Sequence, residues 1–229
     1  MKKSKHFAAA LLGTIFEYYD FALYGFLAVP FSKLFFPSQD PTLSLLEAYG
    51  ILAASSLSKP LGALIFSHLG DKYGRLKALS YNLIGVGVPT FIIACLPGYD
   101  VLGILAPLFL LICRIIQGIF LGGEFDGVAL YVFEHLSSNR RCFANSILFL
   151  STSLGGLSAS LAVTLTTADI MPPWAWRIPF IFGGIFSLLI VYLRSNLKET
   201  PLFLETKALS PTSDFHRDEK ITRPSEKNN

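Results

Sequence analysis

Residues 67–77 read SHLGDKYGRLK and lie between two long apolar runs. The stretch holds two glycines, one acid and three cations, a composition typical of a compact turn. The runs on its two sides, residues 46–66 and 78–96, are each close to the ~20 residues that a helix needs to cross the hydrocarbon core of a bilayer. The pattern predicts two membrane helices joined by a short charged connection.

The rest of the chain repeats this pattern. Its 229 residues are 52% hydrophobic and only 15% charged, which is too apolar for the surface of an ordinary soluble domain. The apolar runs lack the alternation that is typical of membrane β-barrels. Six spans are predicted, at about residues 7–31, 46–66, 78–96, 101–128, 143–166 and 174–193. We therefore expect an all-α membrane protein, with six transmembrane helices in a bundle over residues 1–205 and a polar, disordered tail over residues 206–229.

Lysine and arginine are distributed unequally between the loops. If the N-terminus is cytoplasmic, only Lys33 and Arg177 fall on the opposite side of the membrane. The cytoplasmic side then holds Lys2, Lys3, Lys5, Lys72, Arg75, Lys77, Arg140, Arg141, Arg194 and Lys198. Positively charged loops favour the cytoplasm, and six spans return the chain to the side on which it starts. Both termini are therefore expected to be cytoplasmic, with the protein in the inner or plasma membrane of the cell.

Ionisable side chains lie inside the predicted spans. Glu17, Asp20 and Tyr24 are spaced three and four residues apart, so they share one face of the first helix. Opposite charges are available from Lys59 in the second span and Arg114 in the fourth. A charge at the bilayer centre costs roughly 2.5–3.5 kcal/mol or more, so such residues usually face a protein interior or a wet cavity. The sequence predicts that these faces meet around a polar cavity.

The polar face of the fourth span continues beyond Arg114. Gln117 lies one turn further along, and Glu124 two turns beyond that. A translocation path would be lined by Glu17, Asp20, Tyr24, Lys59, Arg114, Gln117 and Glu124. Two alternatives stay open. The ion pairs could only fasten helices together, and the long stem of Lys59 could carry its ammonium to an interface.

Other function classes are disfavoured. Outside the spans the sequence has no nucleophile–base set, metal-ligand spacing or phosphate loop, so no enzyme activity, cofactor or metal is expected. The net charge of +3 is explained by the basic loops, so no nucleic-acid partner is expected. The expected partners are the lipid bilayer, a small-molecule substrate and protons.

The stretch at residues 67–77 resembles the signature loop of the major facilitator superfamily. In that loop a Gly, an Asp and a Gly-Arg-Lys group connect helices two and three on the cytoplasmic side, and Ser67 stands here where the pattern opens with Gly. The match falls on Gly70, Asp71, Lys72, Gly74, Arg75 and Lys77, and the resemblance implies that these residues form a cytoplasmic gating loop. The stretch RIIQG, residues 114–118, is similar to the helix-four motif, whose Arg is associated with proton coupling.

Further stretches narrow the resemblance to one branch of the superfamily. They are EYYDFALYGFLA, KPLGALIFSHLGDKYGR, GGEFDGVALYVFEH, WAWRIPF and LKETPLF. Together they resemble the metabolite:proton symporters, the group of the proline/betaine, α-ketoglutarate, citrate and shikimate transporters. The similarity covers about residues 7–205, with departures at Asp126 and Cys142, where Gly is usual. It implies proton-coupled symport of a small zwitterionic (proline/betaine-like) or organic-acid (dicarboxylate-like) metabolite.

The resemblance covers one half of a transporter. Members of the superfamily have twelve helices in two six-helix halves, with substrate bound between the halves. This sequence matches the N-terminal half, and the GDKYGR pattern occurs in it once. We therefore expect a truncated or split N-terminal half that needs a complementary half or a second copy of itself. The alternative is a non-transporting gene remnant or a membrane-embedded interaction protein.

Overall fold

A computed structural model describes residues 2–135 and 140–195, and this part of the chain is helical without strands. In chain order the helices are α1 (Lys2–Phe26), α2 (Ala28–Phe35), α3 (Pro41–Tyr73), α4 (Arg75–Cys95), α5 (Tyr99–Leu102), α6 (Leu105–Leu121), α7 (Glu124–His135), α8 (Arg141–Thr166) and α9 (Arg177–Ser195). The predicted all-α fold is confirmed. The tail predicted over residues 206–229 lies outside the described residues.

Within the described residues, five segments are long and apolar enough to cross a membrane. They are Pro41–Tyr73, Arg75–Cys95, Leu105–Phe133, Arg141–Thr166 and Arg177–Ser195. Helix α1 has 25 residues, so at 1.5 Å per residue it is also long enough to cross a core about 30 Å thick. It carries two carboxylates in its apolar part, and its crossing stays a prediction, as does the count of six spans.

Two of the predicted spans are interrupted in the structure. The span at 7–31 is divided at Leu27, between α1 and α2. The span at 101–128 is divided after α5 and again at residues 122–123, between α6 and α7. Gly103, with φ of 56°, ends α5 in a conformation that favours glycine. The second break falls on two consecutive glycines, which have low helix propensity.

The prediction of a compact turn over residues 67–77 is wrong, because most of this stretch is helical. Helix α3 continues through Tyr73, and α4 begins at Arg75. Only Gly74 separates the two helices, and its φ of 111° is one that L side chains rarely adopt. Asp71, near the end of α3, and Arg75, the first residue of α4, form an ion pair at 3.0 Å across this connection.

Three helix pairs have the most extensive contacts in the bundle: α1 packs against α8, α4 against α9, and α3 against α6. Aromatic rings fill the region where α2 meets α9. The Phe31 ring lies 5.1 Å from that of Trp176 and 5.8 Å from that of Phe180, and all three side chains are buried. By contrast, α3 and α8 expose large leucines such as Leu57 and Leu157. Apolar faces of this kind suit contact with lipid or with another helical bundle.

Helices α3 and α6 approach each other closely through glycines. A Cβ atom at position 62 would overlap the backbone carbonyl of Ile119, and one at position 118 would overlap the carbonyl of Ser55. Between them, Ser58 Oγ donates a hydrogen bond across the contact to the carbonyl of Ile115 at 3.1 Å. Small residues at such contacts allow membrane helices to pack backbone to backbone.

We expect Gly62→Ala to destabilise the bundle by about 1–3 kcal/mol, because α6 would have to move away from α3. Thermal unfolding of the purified chain in detergent measures the effect. Gly50→Ala is the matched control, since it lies on the same helix with nothing within 4 Å of the added Cβ. This control is expected to be neutral or slightly stabilising, because Ala favours helix over Gly. Equal melting temperatures for the two variants would contradict the close contact.

Candidate functional site

Asp20 is the centre of a buried polar cluster built by three helices. Its side chain on α1 is fully buried. Thr90 of α4 donates a hydrogen bond to Asp20 Oδ1 at 2.6 Å, and Gln117 of α6 donates one to Oδ2 at 3.0 Å. The Nη1 atom of Arg114, also on α6 and fully buried, lies 3.3 Å from Oδ2. One opposite charge and two neutral donors therefore offset the desolvation of this carboxylate.

The positions of these residues along their helices explain the cluster. Arg114 and Gln117 are three residues apart, so both point from the same face of α6. The Arg114 guanidinium also lies over the Tyr24 ring, with Cζ 4.3 Å from the ring centroid. The Tyr24 hydroxyl in turn donates a hydrogen bond to the Ala48 carbonyl of α3 at 3.0 Å. The cluster therefore joins α1, α3, α4 and α6.

The cluster has unused hydrogen-bonding capacity. Among the described residues, Arg114 Nε, Arg114 Nη2 and Gln117 Oε1 are buried and have no hydrogen-bond partner. An unpaired buried donor or acceptor costs roughly 1–3 kcal/mol. Such atoms are therefore candidate contacts for water or for a polar ligand.

Glu17 lies one turn from Asp20 but outside its hydrogen-bonded cluster. The residue is only 6% exposed, and its Oε2 atom has no hydrogen-bond partner within the described part of the chain. The charge of Lys59 acts on Glu17, but the two side chains are not among the ion pairs of the described residues. Lys59 instead places its Nζ atom 3.8 Å from the centre of the Phe21 ring.

Glu124 belongs to a second buried ion pair. It pairs with Arg194, at the end of α9, and not with Arg114 or Lys59. The Arg194 guanidinium binds the carboxylate with both terminal nitrogens, at 2.6 and 3.3 Å, and also donates a hydrogen bond to the Leu79 carbonyl at 3.0 Å. A Cβ at position 13 of α1 would overlap this guanidinium, so Gly13 makes the space for the pair.

Sequence analysis misses two of these residues, Thr90 and Arg194. Threonine carries no charge and is common in membrane helices, so its spacing gives no signal. Arg194 is assigned by its position to the basic cytoplasmic end of the last span. The preference of positively charged residues for the cytoplasmic side does not distinguish a solvated cation from a buried one. The described residues contain no group of three or more His, Cys, Asp or Glu side chains suited to a metal ion.

The residues of the predicted gating loop lie where α3 meets α4, beside a groove of about 670 Å³. Asp71 and Arg75 pair at 3.0 Å on its rim, with the Asp71 side chain 63% exposed. Asp126 and Gly127 of α7 also line the groove. Of the remaining predicted loop residues, Gly70 lines the groove, Gly74 makes the turn, and Lys72 and Lys77 are exposed.

Membrane-length apolar helices that bury two ion pairs in their interior define an integral membrane protein whose charged side chains face its core. The chain belongs to the sugar (and other) transporter family, whose model matches residues 5–214. This family and the relatives found are transporters and not enzymes. The predicted membership of the major facilitator superfamily is confirmed.

Individual relatives support the same assignment. The chain is 39% identical to the proline/betaine transporter of Escherichia coli (strain K12), over 88% of this chain and 41% of that protein. It is 36% identical to the α-ketoglutarate permease of the same organism, over 86% of this chain and 46% of that protein. Among solved structures, the major facilitator proton:xylose symporter XylE shares the fold with a TM-score of 0.80 at 16% identity, covering 96% of this chain and 53% of that one. The chain therefore spans about half the length, or less, of the proteins it matches.

Proposed function

We propose that this chain is the N-terminal half of a proton-coupled symporter for a small zwitterionic or organic-acid metabolite, and that it works with a complementary half. The observation that carries the proposal is the Asp20–Arg114 pair, which is fully buried between α1 and α6. The names of two relatives, a proline/betaine transporter and an α-ketoglutarate permease, support the two substrate classes.

Asp20 is the group that would carry the proton. As a carboxylate it attracts Arg114 and accepts hydrogen bonds from Thr90 and Gln117. A proton on Asp20 would remove the ion pair and convert one acceptor oxygen into a donor. The contact between α1 and α6 would then weaken, and the Arg114 guanidinium would be free to bind another anion. A proton gradient could in this way shift the bundle between two conformations.

A complementary half would cover surfaces that this chain leaves exposed. The outer faces of α3 and α8 present leucines such as Leu57, Leu64, Leu157 and Leu161. Alternating access in transporters of this kind requires one bundle to move against another. The proposed half is a C-terminal bundle that differs from this one, and an assembly of two copies of this chain is the alternative that uptake by the chain alone would reveal. The protein would lie in the inner or plasma membrane, with both termini cytoplasmic, as the loop charges indicate.

The alternative function is that of a remnant or a membrane-embedded interaction protein without transport. In that case the two buried ion pairs would only hold the helices together.

Uptake into vesicles separates these functions. The chain combined with the second half of the Escherichia coli proline/betaine transporter is expected to accumulate labelled betaine, proline or a dicarboxylate under a proton gradient, and the chain alone is not. In the combined vesicles, Asp71→Ala is expected to reduce uptake about tenfold or more, because Asp71 lies on the rim of the groove where the halves would couple. In the chain alone it should cost less than about 1 kcal/mol of stability, since its pair with Arg75 is exposed.

The matched control is Glu47→Ala, an exposed carboxylate near the other end of α3. It should leave uptake unchanged. Proton-driven uptake by the chain alone that Asp71→Ala abolished would contradict the requirement for a different half, and would point to an assembly of two copies.

A further inference from the structure

The buried charged residues of the described bundle, together with the half-buried Lys59, divide into two kinds. Asp20 with Arg114, and Glu124 with Arg194, form ion pairs at 3.3 and 2.6 Å. Glu17 and Lys59 form no pair with each other or with these four among the described residues, although their charges interact. The proposed substrate path therefore contains one carboxylate and one ammonium that take part in no ion pair within residues 2–135 and 140–195.

These two groups flank an aromatic ring. Phe21 follows Glu17 by four residues on α1, so the carboxylate and the ring share one face of the helix, with Cβ atoms about 5–6 Å apart. The ring already holds a cation, because the Lys59 ammonium sits 3.8 Å from its centroid. Aromatic faces bind ammonium groups, including quaternary ones, and a carboxylate beside the ring adds an opposite charge.

We propose that Glu17, Phe21 and Lys59 form a subsite for a compact zwitterion. The cationic nitrogen of the substrate would lie between the Glu17 carboxylate and the Phe21 ring, in the place that the Lys59 ammonium now occupies. The Lys59 ammonium would move from the ring to the substrate carboxylate. This inference rests on the proposed function, and within it selects the zwitterion from the two substrate classes.

The charge balance of the subsite gives this selectivity. A zwitterion supplies one charge opposite to each of the two protein charges, and the complex is neutral. A dicarboxylate would satisfy Lys59 but would bring a second anion towards the nearly buried Glu17 carboxylate. Specificity of this kind comes from repulsion of the wrong ligand as well as attraction of the right one.

Equilibrium binding to the purified chain in lipid nanodiscs tests the subsite. The probes are labelled glycine betaine, proline and succinate at one pH. The wild-type chain is expected to bind both zwitterions about tenfold or more tightly than succinate. Glu17→Gln should lower the affinity for betaine about tenfold or more, because it removes the charge that holds the nitrogen, without weakening succinate. Phe21→Leu should weaken betaine more than proline, since a quaternary nitrogen has no N–H to donate and depends more on the ring.

The control variant is Asp126→Asn. Asp126 is exposed and its charge also acts on Glu17, so it tests for a general electrostatic effect. It should change each affinity by less than about twofold. The ratio of betaine to succinate affinity is the deciding quantity, because loss of folded protein lowers both signals and leaves the ratio unchanged.

Three results of the binding assay would overturn the subsite: no betaine binding by the wild-type chain, equal affinity for betaine and succinate, or an unchanged ratio in Glu17→Gln. The assay uses neither a proton gradient nor a complementary half. Zwitterion binding without gradient-driven uptake would therefore refute the proposed transport while leaving the subsite standing. Uptake of succinate in preference to betaine would support the proposed transport and would contradict the zwitterion subsite.

Discussion

Replacement of Arg194 with alanine is expected to destabilise the chain by about 3–5 kcal/mol, because the buried Glu124 carboxylate would be left without its counter-charge. Both side chains are at most 2% exposed, and both terminal nitrogens of Arg194 contact the carboxylate. Solvent would therefore do little to compensate the loss. Thermal unfolding in detergent, followed by the fraction of monodisperse protein, measures the effect.

Two further variants show whether the loss comes from the pair. Arg177→Ala is the matched control on the same helix, since Arg177 is only half-buried and donates to the Leu96 carbonyl at 3.1 Å. It should cost much less. Combining Arg194→Met with Glu124→Gln should recover much of the stability, because no unpaired charge then remains in the core. A double variant as unstable as the sum of the two single ones would show that the groups do not interact.

Arg114→Ala is expected to have a similar cost, about 3–5 kcal/mol, since it leaves the fully buried Asp20 carboxylate without an opposite charge. Thr90 and Gln117 would still donate hydrogen bonds to it, but neither carries a charge. Adding Asp20→Asn to Arg114→Ala should therefore restore part of the stability. We expect a coupling of about 1–3 kcal/mol in this cycle, measured by thermal unfolding. Strictly additive losses would contradict the pairing.

The same pair should affect transport differently from stability. Asp20→Asn keeps the size of the side chain but cannot exchange a proton, so the proposed coupling predicts loss of accumulation under a proton gradient. The Arg114→Ala/Asp20→Asn chain should likewise be inactive even where it is stable. Uptake assays with the complementary half make the comparison. Gradient-driven accumulation by Asp20→Asn would place the proton on another group.

The sequence was sufficient to predict the class of fold. In lipid every backbone N–H and C=O group needs a hydrogen-bond partner within the protein, and a helix supplies these partners within its own segment. Long apolar runs with few charges are therefore expected to cross the membrane as helices. It was also sufficient to place Glu17, Asp20 and Tyr24 on one face of α1, since that follows from 3.6 residues per turn. The resemblance of residues 67–77 to the signature loop of the major facilitator superfamily could also be recognised from the sequence, because it depends only on the order of the residues.

The breaks in the helices were less accessible to sequence analysis. The charged stretch at residues 67–77 was predicted as a turn, yet only Gly74 leaves the helix. Charge marks where a chain leaves the hydrocarbon, but the helix can continue beyond that point in water. The end of α3 is set by one backbone conformation, with φ of 111°, and not by polarity.

Only the tertiary structure decided which charges pair. Sequence analysis offered Lys59 and Arg114 as partners for the carboxylates, whereas Glu124 pairs with Arg194, 70 residues away in the chain, and Lys59 lies over an aromatic ring. The physical reason is that helical periodicity determines the face on which a side chain lies but not the helix that this face meets. That choice depends on packing between distant segments, such as the space that Gly13 leaves for the Arg194 guanidinium.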